Sequence, residues 1–169
     1  MIAFQHKLLR QRIKILTCQY DDIKNVTGNN CYAVVENGKL EIINSYGKVI
    51  LNSGFDAVKD IGLDLFIVTN NGKYSLIDKE GKVIINPEYD DLRFCIADYY
   101  IAKKGEKYGI INKEGNNVID FSYNSVNYIK EGNFFSCEKE NFVTDIIDSN
   151  FEIKLSDIII SDLNLTNHE

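Results

Sequence analysis

The chain has 169 residues, 44% hydrophobic and 26% charged, a composition that allows a packed core and excludes intrinsic disorder. A net charge of −6 and a pI near 5.0 argue against a nucleic-acid-binding or anionic-membrane surface. No stretch approaches the ~18 apolar residues of a membrane span, and four scattered cysteines (Cys18, Cys31, Cys95, Cys137) with only two histidines fit neither a zinc site nor a redox pair.

Residues 1–13 form a basic segment with Lys7, Arg10 and Arg12 and no acid, in which 2–12 suit one or two helical turns. Its basic residues are scattered, without the continuous apolar stretch of a signal peptide, so the expected location is the cytoplasm with the thiols reduced.

From Tyr20 the chain repeats. An aromatic-acid-x-aliphatic tetrad recurs as Tyr20-Asp21-Asp22-Ile23, Phe55-Asp56-Ala57-Val58, Tyr89-Asp90-Asp91-Leu92 and Tyr123-Asn124-Ser125-Val126, with a degenerate Leu155-Ser156-Asp157-Ile158 at the end. A second aromatic falls on a fixed 34-residue beat, Tyr32, Phe66, Tyr100 and Phe134. Tight turns follow it. Asn37-Gly38 and Asn71-Gly72 suit type I′ hairpins, which need positive φ at both central residues, and Gly105-Glu106 suits type II′. Lys139-Glu140 meets neither need and predicts a longer loop.

A further turn closes with Gly in Asn44-Ser45-Tyr46-Gly47, Asp78-Lys79-Glu80-Gly81 and Asn112-Lys113-Glu114-Gly115, the pattern of a type I turn with a left-handed fourth residue. Phe151 replaces that Gly in Asp148-Ser149-Asn150-Phe151, so this turn is expected to differ. Short β-branched and aromatic runs lie between the turns: Tyr32–Val35, Leu65–Thr69, Tyr74–Ile77, Lys82–Ile85 and Tyr108–Ile111. Pro87, the only proline, marks the expected end of the strand at Ile85.

Each copy therefore reads as about three short antiparallel strands joined by hairpins. The expected fold is all-β, with tandem ~34-residue hairpin or meander repeats stacked into one elongated or superhelical sheet domain over residues 14–158, followed by a tail at 159–169. Three columns line that stack: Tyr20/Phe55/Tyr89/Tyr123, Tyr32/Phe66/Tyr100/Phe134 and Leu40/Tyr74/Tyr108/Phe142.

The stretches Gly72-Lys73-Tyr74-Ser75-Leu76-Ile77-Asp78-Lys79-Glu80-Gly81-Lys82 through Pro87-Glu88-Tyr89-Asp90, and Lys107-Tyr108-Gly109-Ile110-Ile111-Asn112-Lys113-Glu114-Gly115, resemble the WG (KWG) β-repeat family of bacterial proteins. The chain departs from that pattern in having no tryptophan. Leu40, Tyr74, Tyr108 and Phe142 stand for the Trp, and Gly109 alone keeps the Gly. The resemblance implies tandem β-hairpins and interaction roles without a shared catalytic site.

The residues themselves offer no catalytic constellation. His6 and His168 lie near the ends, and the recurrent acids sit at turns, where they accept backbone hydrogen bonds. Neither a Walker-type nor a dinucleotide-binding glycine motif occurs. The expectation is a non-enzyme without cofactor or metal that binds no nucleic acid or membrane. The columns claim 11 of the 19 aromatics. Among those left, Phe94, Tyr99, Tyr128 and Phe135 are the candidate partner-binding residues, an extra aromatic face confined to the last two copies. The alternative for these rings is a second buried face. The expected partner is another protein, with the chain monomeric or weakly self-associating, as an immunity or accessory protein. A structural or self-associating scaffold is the other reading.

Overall fold

A computed structural model describes residues 20–26, 31–36, 38–44 and 46–159. The basic segment 1–13, both histidines, Cys18 and Asn37 lie outside them. The chain divides into two compact units, Met1–Glu88 and Tyr89–Glu169. Each is built from antiparallel meanders in which every strand pairs with its neighbour in sequence.

The first sheet runs β1 (Asp22–Val26), β2 (Cys31–Glu36), β3 (Lys39–Asn44) and β4 (Val49–Phe55); the second runs β5 (Ala57–Gly62), β6 (Leu65–Asn70), β7 (Lys73–Asp78) and β8 (Val83–Tyr89). The third holds β9 (Asp91–Ile96), β10 (Tyr99–Lys104), β11 (Lys107–Asn112) and β12 (Asn117–Tyr123). The fourth holds β13 (Ser125–Ile129), β14 (Phe134–Glu138), β15 (Val143–Asp148) and β16 (Ile153–Ile159). Hydrogen bonding closes within each copy, so the repeats are four separate four-stranded sheets.

A copy thus has four strands, not three. The tetrad hides the boundary, because only Asp56, Asp90 or Asn124 separates the outer strand of one sheet from the inner strand of the next. Pro87 does not end a strand either. It sits inside β8, the outermost strand of its sheet, the kind of strand in which proline is tolerated.

Turn chemistry follows the sequence closely. Asn71 and Gly72 both have positive φ, as a type I′ hairpin requires. In all four sheets the side-chain Oδ1 of Asn44, Asp78, Asn112 or Asp148 accepts the backbone N–H groups two and four residues ahead, at 2.8–3.1 Å. The longer loop expected at Lys139-Glu140 is present as a 3₁₀ turn over Glu140–Phe142.

Within each unit the two sheets share one apolar core. Ala33, Ile42, Leu51 and Phe55 of the first sheet pack with Phe66, Val68 and Ile77 of the second. Ile101, Ile110, Ile119 and Tyr123 of the third pack with Val126, Phe135, Cys137 and Ile147 of the fourth. Each buried Val, Leu, Ile or Phe among these contributes roughly 1.5–3 kcal/mol.

The fourth copy corrects three expectations. Phe134 does not continue the 34-residue column. Phe135 does, since it pairs with Ile147 as Tyr100 pairs with Ile111 and Phe66 with Ile77. Phe142 is 78% exposed in the 3₁₀ turn and belongs to no column. The turn at Phe151 keeps the repeat geometry: Phe151 takes φ +64° where Gly47, Gly81 and Gly115 take +79° to +85°, and its N–H still donates to Asp148 O at 2.9 Å.

A left-handed conformation costs a non-glycine residue about 1–2 kcal/mol. The Phe151 ring offsets this by meeting Tyr99 edge-on at 4.6 Å and stacking on Phe135 at 5.7 Å. Urea denaturation should therefore rank the wild type above Phe151→Gly by about 1 kcal/mol, and Phe151→Gly above Phe151→Ala by about 1 kcal/mol more. Equal stability of the two variants would mean that the backbone is unstrained there.

Candidate functional site

Most of the carboxylates and amides that recur are committed to the repeat. At the bends between sheets, Asp56 Oδ2 accepts the Asn71 N–H and Asp90 Oδ2 the Gly105 N–H, both at 2.8 Å. Lys39 reaches forward to Asp56 and Lys107 to Asn124, tying one sheet to the next within each unit. The hydrogen bond from Lys39 and the Asn71 N–H hold Asp56 below the usual carboxylate range. These acids pin turns. Burial pushes the Cys95 thiol up to about 11 and Cys137 up to about 12, so neither supplies a thiolate at neutral pH.

The structure separates the four candidate aromatics. Phe135 has no exposure and cannot touch a partner, because the slipped register turns it into the core column. Tyr99 and Tyr128 are half-buried against the same cluster, Tyr128 with its ring 5.1 Å from Phe135 and its hydroxyl donating to Asn133 at 2.7 Å. Only Phe94, 39% exposed and edge-on to Tyr100, presents a surface, and it stands apart from the others. Three of the four thus belong to a buried aromatic cluster that Phe151 completes.

The last sheet carries two features that the earlier ones lack. The first is a buried carboxylate. Asp145 on β15 is 1% exposed, and its Oδ2 accepts from the Tyr123 hydroxyl at 3.0 Å and Lys139 Nζ at 2.9 Å. Its Oδ1 accepts from the Ser156 hydroxyl at 3.0 Å and the Asp157 N–H at 3.1 Å. Burial alone would raise its pKa, but these four hydrogen bonds outweigh it and the net shift is downward.

The second is an uncovered strand. Leu51 and Ile119, which face Ile42 and Ile110, are buried under the following sheet, whereas Leu155, facing Ile146, is 57% exposed, with Ile153 and Ile159 beside it. Among the described residues no helix is long and apolar enough to cross a membrane, and no three His, Cys, Asp or Glu side chains gather as metal ligands.

Comparison with known proteins bears directly on the family. The model described as "WG containing repeat" matches residues 13–39, 74–108 and 108–137, more than half of the chain. The chain belongs to the WG-repeat family. No curated protein matches it. Among solved structures it is similar to Hsv2 of Kluyveromyces lactis at 13% identity and a TM-score of 0.51, over 78% of this chain and 48% of that one. It is also similar to HIRA(644-1017) at 15% identity and a TM-score of 0.43, over 80% of this chain and 53% of the other. The WG-repeat chain thus spans about half the length of these two solved chains, and the likeness to Hsv2 concerns the fold alone.

The WG motif can now be placed by register. Leu40 faces Phe55, Tyr108 faces Tyr123 and Thr144 faces Ile158, so the fourth Trp position is Thr144 rather than Phe142. The Gly position then runs Glu41, Ser75, Gly109, Asp145. At Gly109 an added Cβ would lie 2.6 Å from Ile119 O, which is why glycine stands there. One extra residue in the β13–β14 turn and one in the loop around Glu140 displace the motif in the fourth copy and conceal Asp145 from a fixed-period reading. Only the hairpin mismatch at Lys139-Glu140 hinted at it.

Proposed function

We propose that this WG-repeat chain is a non-enzymatic protein-binding module that makes contact through the outer face of its fourth sheet. One observation carries the reading: Leu155 stands open where its counterparts Leu51 and Ile119 are 2% and 9% exposed beneath a neighbouring sheet. In a repeat protein such a face calls for either a polar cap or an occupant, and Ile153, Leu155 and Ile159 do not make a polar cap.

On the first sheet, Val34 and Ile43 have no exposure. Among the described residues the first sheet therefore offers a second copy no open counterpart of the Leu155 face for head-to-tail stacking, which favours a different polypeptide over a self-associating scaffold. Nine acids against Lys139 and Lys154 over residues 131–169 suit a basic partner. The fuller form of the proposal is a bacterial, cytoplasmic immunity or accessory protein that blocks or supports that partner.

Ile153→Asp combined with Leu155→Asp places charge on side chains that support no core, so circular dichroism and the melting temperature should change little. Affinity for a partner co-purified with the wild-type chain from its own cells should fall at least about a hundredfold. A folded variant that captures this partner as well as the wild type does would end the reading.

A further inference from the structure

On the reading of the fourth sheet's outer face as a contact surface, we propose that its occupant is an antiparallel β-sheet of another polypeptide. That sheet is apolar where it lies over Ile146 and Leu155 and basic beside Glu138. Leu155 and Ile159 are exposed on this face, and Ile146 and Ile158 are half-buried.

The chain itself shows what such a face receives. Ala33, Ile42 and Leu51 form one row across the first sheet, and Ile101, Ile110 and Ile119 form the same row across the third. A four-stranded sheet packs on each row, through Phe66, Val68 and Ile77 in one unit and Phe135, Cys137 and Ile147 in the other. The fourth sheet presents the equivalent row as Ser136, Ile146 and Leu155, with Ile158 in the place of Phe55 and Tyr123. Stacked sheets lie about 10 Å apart with interdigitating side chains, and the open face keeps the row that this stacking uses.

Two departures from the other copies define the occupant further. Asp56 and Asp90 each accept a backbone N–H from a hairpin of the sheet that follows them, and Lys39 and Lys107 reach the bend residues Asp56 and Asn124. At the equivalent corner of the fourth sheet Val143 pairs with Ile159, and neither side chain can donate or accept. The polar pin that ties a following sheet to its own chain is thus replaced by an extension of the apolar face, which suits a sheet supplied by a separate polypeptide. The second departure is charge. Glu138 stands in register with Thr144, where the third sheet pairs Lys103 with Tyr108. Its half-buried carboxylate accepts from the Ser125 hydroxyl at 3.0 Å, and among the described residues no lysine or arginine pairs with it. A carboxylate so placed at the rim of an apolar face selects a cation on the partner.

The first test gives the face a sheet of known sequence. Residues 56–89, which hold the second sheet with its bend residue, are joined after Ile158, and a second fusion joins residues 124–159 at the same point. Amide exchange over at least one added sheet should slow at least about a hundredfold relative to an unfolded segment. Leu155→Asp in the same fusion should abolish that protection. Unprotected added segments in both fusions would overturn the proposal, and so would protection that survives Leu155→Asp.

The second test reads the partner. The full-length chain with p-benzoylphenylalanine in place of Leu155 is photo-cross-linked to the partner co-purified from its own cells, and the attachment points are mapped. They should fall on alternate residues of a strand, whereas a spacing of three or four, the mark of a helix, would overturn the proposal. In that outcome the outer-face reading still stands; a captured partner with no cross-link from this position would end both. Glu138→Gln, which can still accept from the Ser125 hydroxyl, should weaken capture of the partner about tenfold. Unchanged affinity would overturn the assignment of a basic edge.

Discussion

Phe135→Ala is expected to lower the unfolding free energy by about 3–5 kcal/mol, while Phe134→Ala, one residue away, should cost about 1 kcal/mol or less. The contrast follows from register. Phe135 has no exposure and packs with Cys137, Ile147 and the rings of Tyr128 and Phe151. Removing the ring leaves a cavity that strands on both sides cannot close, and the transfer and cavity terms add. Phe134 is half-buried, with its ring lying over Gly132, where an added Cβ would come within 2.1 Å of it. Few neighbours lose contacts when it is truncated. In urea the first variant should show a strongly lowered midpoint at an unchanged slope, and the second a small shift. Equal costs for the two would restore Phe134 to the column and disprove the register slip.

That slip marks where the sequence stops being legible. Turn chemistry is local: Asn71-Gly72 needs positive φ, and an Asp or Asn with N–H groups two and four residues ahead forms the same bonded turn in every copy. Such features can be read from four or five residues, and so can the repeat and its family. Strand number is harder, because a single bend residue such as Asp56 leaves no visible gap between β4 and β5. Strands β5 (Ala57–Gly62) and β13 (Ser125–Ile129) also carry too many polar residues to stand out.

The fourth copy defeats a fixed period for another reason. Compared with the two preceding copies, the turn between β13 and β14 and the loop around Glu140 are each one residue longer; every later residue is shifted, and on a strand one position reverses the face. Counting by 34 therefore assigned Phe134 to the core and left Phe135 as a surface candidate. It also set Phe142 in the Trp position, although the strand there begins at Val143. Phe151 escapes sequence reasoning for a different cause. Phenylalanine is a poor residue for positive φ, and only the rings of Tyr99 and Phe135, distant in sequence, make that conformation worth holding.

Asp145 is the remaining residue with a large expected effect, because the last strand has little else to hold it. Every side chain of β16 is exposed except Ile158, which is half-buried, so the strand gains little from apolar burial. Beyond its ladder with β15 and the Lys154–Asp148 ion pair at its start, it is fastened by the Ser156 hydroxyl and the Asp157 N–H, both donated to Asp145, and by Lys139 bridging Asp145 and Asp157. Asp145→Ala strands these donors and the Tyr123 hydroxyl, whose pKa burial and the hydrogen bond to Asp145 push up to about 12, keeping it a donor at neutral pH.

The expected cost is about 3 kcal/mol, nearer the lower end for a broken buried pair because Lys139 retains Asp157 and some solvent. Amide exchange should accelerate most over Leu155–Ile159. The pH dependence has a definite sign. A carboxyl held below its ordinary value of 3.8 contributes stability that is full above about pH 4 and is lost as pH falls through the lowered folded value. The stability gap between the wild type and Asp145→Asn should thus be constant from about pH 7 to 5 and shrink steadily toward about pH 2. A gap that persists undiminished at pH 2 would mean that the carboxylate's charge does not fasten β16, leaving hydrogen-bond geometry alone to explain the loss.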